Sequence, residues 1–289
     1  MRRAFAILAG AGVLLAAMAP GFAYPSFAGP TGGPLTPNSD VAKGIEVAFN
    51  WQRLLLQGQQ SYSDRVSSPV DGLQPAQFTS NGVDRADSLT GLLLWGNGRW
   101  EIGGFATSID SIQPGGIFNG TGFGVNGKWQ MTSQDRGDHF GSALGFVWAN
   151  IDHLFEESGV AEEQVQWTTV YLALSKRLTG QIDGTVGVMQ EHLTDTEHVF
   201  LTHGTHFVSE TDEFNYFASL AIYSKDRRSS FWSEFRTELA GGAGLYSVAI
   251  RRELGGHWAG QIGWSNAKGP VPWSTDEGSW FAGLMYRVH

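Results

Sequence analysis

A single habit of this chain restricts its fold more than any other: large apolar residues recur at every second position, in arms joined by tight turns. Residues 244–265 show it best. Tyr246, Val248 and Ile250 fall on one face of the first arm, with Ser247, Ala249 and Arg251 on the other. After a turn at Leu254-Gly255-Gly256, Trp258, Ile262 and Trp264 share one face of the return, opposite Ala259, Gln261 and Ser265. A period of two is that of a strand with unlike faces, so this is a β-hairpin. The same pattern returns along most of the chain with no helical stretch to cover the apolar faces. In a hydrocarbon solvent such a sheet needs no cover, provided it closes on itself and leaves no unpaired edge.

Twelve strands are predicted from residue 44 onward: residues 45–52, 89–95, 100–108, 122–131, 140–150, 164–176, 181–191, 214–224, 231–238, 245–251, 258–265 and 279–289. The expected fold class is all-β, an antiparallel up-and-down transmembrane barrel of about twelve strands. In the sixth candidate, Val170, Leu172 and Leu174 face Tyr171 and Ala173, so apolar residues occupy both sides and its orientation stays open. Links after even-numbered strands read as short and most of those after odd-numbered strands as longer, the link after the ninth excepted. Outer-membrane barrels keep short turns in the periplasm and long loops outside. An even strand count then places both termini in the periplasm.

Charge follows the same division. Links 153–163 and 192–213 read as acidic outer loops without Lys or Arg, whereas Arg99, Arg136, Lys176, Arg177, Lys225, Arg227, Arg228, Arg251 and Arg252 cluster at the opposite ends. Trp51, Trp95, Trp100, Trp148, Trp258, Trp264 and Trp280 sit near strand ends, where interfacial aromatic girdles form. Only 16% of the residues are charged, against about 25% in an ordinary soluble domain. The net charge of −9 argues against nucleic acid as a partner, since phosphate contacts need a basic surface.

Residues 1–23 carry the marks of a signal peptide: Arg2 and Arg3, an apolar run from 5 to 18, and Gly21-Phe22-Ala23 as a small-x-Ala cleavage site. The absence of Cys excludes a lipid-anchored N-terminus and any disulfide. Residues 24–43 are rich in Gly and Pro and form either a flexible periplasmic leader or a plug against the barrel mouth, followed by the barrel over residues 44–289. Gly29, Gly32, Pro37 and Gly44 are spaced as in the mature N-terminus of YjbH-type outer-membrane barrels, which this leader resembles. Gly33 stands where that pattern has Leu, and Asn38-Ser39 where it has Thr-Ala. The resemblance covers about twenty residues, brings no catalytic group, and implies an outer-membrane barrel associated with exopolysaccharide export.

Chemical motifs are few. Residues 122–127, Gly-Phe-Gly-Val-Asn-Gly, match a dinucleotide fingerprint by letter, but lie within a strand and lack the following helix that would hold a pyrophosphate. His198, His203 and His206 offer weak candidate metal ligands in an acidic loop, without helical spacing or an HExxH motif. No His-x-Ser pair exists to set a nucleophile and its base on one strand face, and a Ser without a base is a poor nucleophile. No cofactor is expected. The inward faces should carry Glu46, Asn50, Glu101, Lys128, Asp183, Glu234, Arg236 and Arg251, with Arg287 beside them, and Glu234 and Arg236 share a face at a separation of two. Such a set lines either a water-filled pore or a closed lumen bridged by ion pairs. The expected function is therefore a non-enzymatic outer-membrane barrel, either a small-solute channel or a structural or export-associated barrel. A barrel-embedded lipid or ester hydrolase and a soluble secreted β-protein are the alternatives. Its partners would be outer-membrane lipid and lipopolysaccharide, and polysaccharide-export components.

Overall fold

A computed structural model describes residues 24–57, 83–111, 119–157, 161–199, 205–237, 244–268 and 271–288. The signal-like residues 1–23 lie outside them. Twelve strands follow in chain order: β1 Lys43–Gln57, β2 Val83–Asn97, β3 Trp100–Ser111, β4 Asn119–Thr132, β5 Gly141–Glu157, β6 Ala161–Arg177, β7 Ile182–Val199, β8 Thr205–Tyr223, β9 Ser229–Arg236, β10 Leu245–Gly255, β11 Trp258–Lys268 and β12 Val271–Val288. Each pairs antiparallel with its chain neighbours, and β1 pairs with β12 from Ile45 opposite Val288 to Leu55 opposite Glu277. The sheet is thus a closed up-and-down barrel with no free edge.

Alternation decides which way each side chain points. Ile102, Phe123, Val125, Phe146, Val170, Val186, Tyr216, Ile250, Ile262 and Trp280 lie outside, each between 44% and 65% exposed. A soluble monomer rarely shows apolar patches beyond a few hundred Å², whereas this surface encircles the barrel. Two aromatic belts bound it. Toward the end that holds the even-numbered links, Trp95 packs edge-on to Trp100 at 4.6 Å, Trp100 lies opposite Trp129, and Trp258 packs on Tyr286 at 4.7 Å. Toward the other end, Phe123 packs on Trp148 and Trp264 lies opposite Trp280. Trp258 and Trp264 are six positions apart, about 20 Å along a strand, of the order of the ~25 Å apolar band of an outer-membrane barrel. β6 orients cleanly: Trp167, Thr169, Tyr171 and Ala173 are buried inside, and Val170 and Leu174 face outward.

Two sequence expectations are corrected. Links 153–163 and 192–213 are largely strand, because β5 runs to Glu157, β6 starts at Ala161, β7 reaches Val199 and β8 begins at Thr205. The length asymmetry between the two ends therefore resides in strand extensions as well as in loops: the β5–β6 and β7–β8 links shrink to residues 158–160 and 200–204. Beyond the apolar belt both faces of a strand meet water, so the hydrophobic alternation that marks a strand disappears although the ladder continues through Glu162–His198 and Thr196–Val208 pairs.

Candidate functional site

The interior of the barrel is where this chain places its charge. Glu46, Glu101, Lys128, Glu234, Arg236, Arg251 and Arg287 are all under 8% exposed, as is Asn50. Ions so far from water persist only when paired and hydrogen-bonded. Arg287 Nη2 lies 2.7 Å from Glu46 Oε1 across the β1–β12 seam, and Lys128 Nζ lies 3.0 Å from Glu101 Oε1 between β3 and β4. Arg236 does not pair with Glu234, its neighbour on the same face. It reaches past β8 to Glu191 on β7, 2.6 Å from both carboxylate oxygens. Asn215 and Thr169 donate to the same carboxylate. Glu191 was not anticipated as a lumen residue, because its strand was read as ending there. Asp183 sits at the mouth, half-buried, and accepts from Arg227 at 2.6 Å.

Glu234 turns instead to the N-terminal segment, which occupies the lumen at the end of the even-numbered links. Residues 24–42 form a compact knot held by two isolated bridges, Pro25 with Thr31 and Gly32 with Pro37. Its backbone bonds run from Phe27 N to Pro34 O and from Gly33 N to Thr36 O. Many of its attachments to the wall are polar. Leu35 N and Thr36 Oγ1 donate to the Glu234 carboxylate at 2.8 and 2.9 Å. Thr31 N and Ala42 N donate to Glu101 at 2.9 and 2.8 Å, and Lys128 Nζ donates to Thr31 O at 2.9 Å. Arg251 donates to Gly32 O and to Gln261, which in turn donates to Asn50. Gln130 holds Ser39 O, and Ser175 accepts from Ser39 N.

Two glycines allow this approach. A Cβ on Gly33 would stand 1.1 Å from Glu234 Oε1, and one on Gly29 would stand 2.0 Å from Asn126 Nδ2, at a φ of +105° that side chains avoid. Apolar contacts hold it as well: Phe27 is buried with Ala221, Trp232, Ala249 and Phe281, meeting Phe281 edge-on at 4.9 Å with Leu35 against the group, and Tyr24 and Trp232 flank the Arg251 guanidinium at 4.7 and 4.6 Å. Enclosure raises the Tyr24 phenol above its ordinary value, with Arg251 opposing. Asp40, whose side chain meets the water of the mouth, is nonetheless ringed by barrel wall. Its carboxyl is raised by that desolvation, with Lys128 acting against it.

An apolar cluster lies among these polar groups. Phe105, Val147, Tyr171, Met189 and Phe217 belong to one buried apolar cluster on the inner faces of β3 and β5–β8. The segment meets this cluster too, since Tyr24 belongs to it. Below the segment opens a vestibule of about 680 Å³, which Asp183 and Arg251 help to line.

The candidate histidines lie at the far ends of the strands. His198 and His206 stand at opposed register positions on β7 and β8, and His203 falls outside the described residues. Among the described residues no group of three or more potential metal ligands occurs. The Gly-x-Gly-x-x-Gly residues 122–127 lie within β4, with no helix after them.

No family model and no curated protein sequence matches the chain. It is similar in structure to the translocator domain of the autotransporter NalP from Neisseria meningitidis, at a TM-score of 0.48 and 12% identity over 86% of this chain and 89% of that one. It is also similar to the KdgM porin, at 0.45 and 10% over 84% and 99%, and to the CymD monoaromatic hydrocarbon channel, at 0.39 and 8% over 86% and 90%.

Proposed function

We propose that this chain is a non-enzymatic barrel of the bacterial outer membrane, with both termini in the periplasm, that passes small solutes once its N-terminal segment leaves the lumen. The observation that carries the proposal is the charged lining against which the segment is held: it bonds to Glu101, Lys128, Glu234 and Arg251, groups that water can solvate once the segment leaves. Each hydrogen bond to these charged groups contributes about 1.5–3 kcal/mol net of its exchange with water. The wall that the segment would vacate is charged and wettable. A barrel that served only as a wall gains nothing from buried ions, which an apolar filling replaces at equal or better stability.

Planar-bilayer conductance tests it. The chain from Tyr24 should be closed most of the time, and the chain starting at Lys43 should conduct steadily. Silence of both across voltages and salts would refute the channel. It would favour the second reading, a structural or export-associated barrel. That reading has its own support in the apolar cluster of Phe105, Tyr171 and Phe217 inside the barrel, and in the leader's resemblance to YjbH-type barrels, which points to polysaccharide-export components as partners. On either reading no phospholipid or ester is turned over in detergent.

A further inference from the structure

At membrane depth the barrel closes without a free edge, but its strands are unequal and one edge opens beyond the belt. β8 is 19 residues long and its neighbour β9 only 8. Their pairing stops at Phe217 opposite Arg236, and Tyr216 then bonds to Thr237. On its other side β8 stays paired with β7 up to Thr205 opposite Val199, without a register shift. The break falls at the aromatic belt of that end, where Tyr216, Phe235 and Tyr246 pack in a row at 6.1 and 5.1 Å. Asp212 stands about 13 Å further along the strand than Tyr216, and Val208 about 27 Å. No described residue pairs with them on the β9 side. Residues 237–244 join Arg236 to Leu245, which stand opposite each other. Half that link, roughly four residues, is the furthest it can climb β8, and this ends short of Asp212.

The hydrogen bonds of Tyr216 show which backbone groups this edge presents. Its C=O accepts from Thr237 N and its N–H donates to Thr237 Oγ1, both at 3.0 Å, so both groups point away from β7. Bonding direction alternates along a regular antiparallel strand, so Asp212, Glu210 and Val208 aim their N–H and C=O the same way. Val208, Ser209 and Glu210 are exposed in succession, so neither face of β8 is covered there. Natural edges are blunted by Pro, by Lys, by bulges or by shortness. β8 has no Pro, no Lys and no bulge, and it is the longest strand. Acid is all that guards it.

That acid identifies the partner. Residues 153–163 and 192–213, which form the far parts of β5–β8 and their links, contain many Asp and Glu and no Lys or Arg. Glu156 stands at the register position opposite Glu162, and Glu163 opposite Glu197, placements of like charge that destabilise a sheet. A second copy of the chain is a poor occupant, because two antiparallel β8 edges centred on Glu210 set Glu210 against Glu210. We infer that the edge of β8 from Val208 to Asp212 receives an extended basic peptide segment as an added antiparallel strand, in line with β9. Backbone bonds to Val208, Glu210 and Asp212 hold it, and its Lys or Arg residues, two positions apart, stand opposite Asp212 and Glu210. The next residue on that face stands opposite Val208 and is apolar. The edge lies outside the lumen, so the inference does not depend on whether the barrel conducts.

Fluorescence anisotropy tests it, with the purified chain in non-ionic detergent and the labelled peptide Thr-Lys-Thr-Lys-Thr-Val-Thr as probe. The peptide should bind at one site, and its Glu-for-Lys counterpart should not. N-methylation of the Lys set opposite Glu210 removes the N–H that must reach the Glu210 carbonyl, and should weaken binding by about tenfold or more. Glu210→Lys should reverse the preference between the two peptides. Val208→Pro removes an N–H that β7 does not use, so it should abolish binding while heat-modifiable gel migration is kept. Absence of binding, or equal affinity for the N-methylated peptide, would overturn strand addition using the parental protein alone. Equal binding of the Lys and Glu peptides would overturn the basic partner. A concentration-dependent dimer that Val208→Pro dissolves would give the edge to a second copy and overturn the peptide.

Discussion

Adding one methyl group at Gly33 should loosen the whole N-terminal segment. The Ala Cβ would stand 1.1 Å from Glu234 Oε1 and 2.2 Å from its Cδ, so the carboxylate must swing away. In doing so it loses the bonds from Leu35 N and Thr36 Oγ1. Hydrogen bonds to an ionised acceptor contribute about 1.5–3 kcal/mol each, so the two together cost about 3–6 kcal/mol of docking. Ala also stiffens the undocked segment, which returns about 0.4–1 kcal/mol. The net weakening of about 2–5 kcal/mol corresponds to an undocked population raised by a factor of roughly 30 to several thousand. Chymotrypsin reports it, since Phe27 is buried when docked and cleavage of a transiently open segment tracks its population when closing is fast. Cleavage after Phe27 should accelerate by at least thirtyfold in Gly33→Ala. The cause is isolated by a cycle with Glu234→Ala: once the carboxylate is gone the methyl has nothing to displace, so the double variant should be cleaved about as fast as Glu234→Ala alone. Parental protection in Gly33→Ala, or additive effects in the cycle, would show that this contact does not hold the segment.

Three further outcomes follow from the same structure. Val125→Arg, on the outer face between the aromatic belts, should cost about 2–4 kcal/mol in vesicle unfolding, whereas Leu254→Arg at the turn should cost about 0–1 kcal/mol; equal costs would deny a hydrocarbon environment. Arg287→Met leaves the buried Glu46 without its partner and should cost about 3–5 kcal/mol, while Arg287→Met with Glu46→Leu should be near neutral by the same unfolding assay. Docking should respond to acid through Asp40. Its carboxyl is raised in the lumen, chiefly by desolvation, so the docked state holds the proton more tightly than the free segment does. Docking therefore strengthens as pH falls through the docked value and weakens above it. Chymotryptic cleavage should slow on acidification from neutral pH, and Asp40→Asn should remove that part of the response.

The strand count, the antiparallel neighbour order and the outward face of the membrane-depth strands were legible in the sequence, because alternation is a local property and lipid selects only one face. Tyr246, Val248 and Ile250, or Trp258 and Trp264, declare their side without reference to any other strand. The extensions of β5 to β8 were not legible. Above the belt Thr194, Asp195, Thr196 and Glu197 pair with residues of β8, and nothing in their polarity distinguishes a ladder beyond the apolar belt from a loop. Strand six was ambiguous for the converse reason: Tyr171 and Ala173 meet an apolar cluster inside the barrel, so both faces are greasy.

Sequence alone also marked Glu46, Glu101, Lys128, Glu234 and Arg251 as inward, since a charge is costly against lipid. What each of them meets belongs to the tertiary structure. Glu234 finds Leu35 at a separation of 199 residues, Arg287 finds Glu46 at 241, and Arg236 passes over Glu234 to reach Glu191. Barrel closure brings those positions to one level of the lumen, and no spacing along the chain encodes that level. The seating of the knot of residues 24–42 and the vestibule beneath it exist only after the sheet has met itself, because each is assembled from strands far apart in the chain.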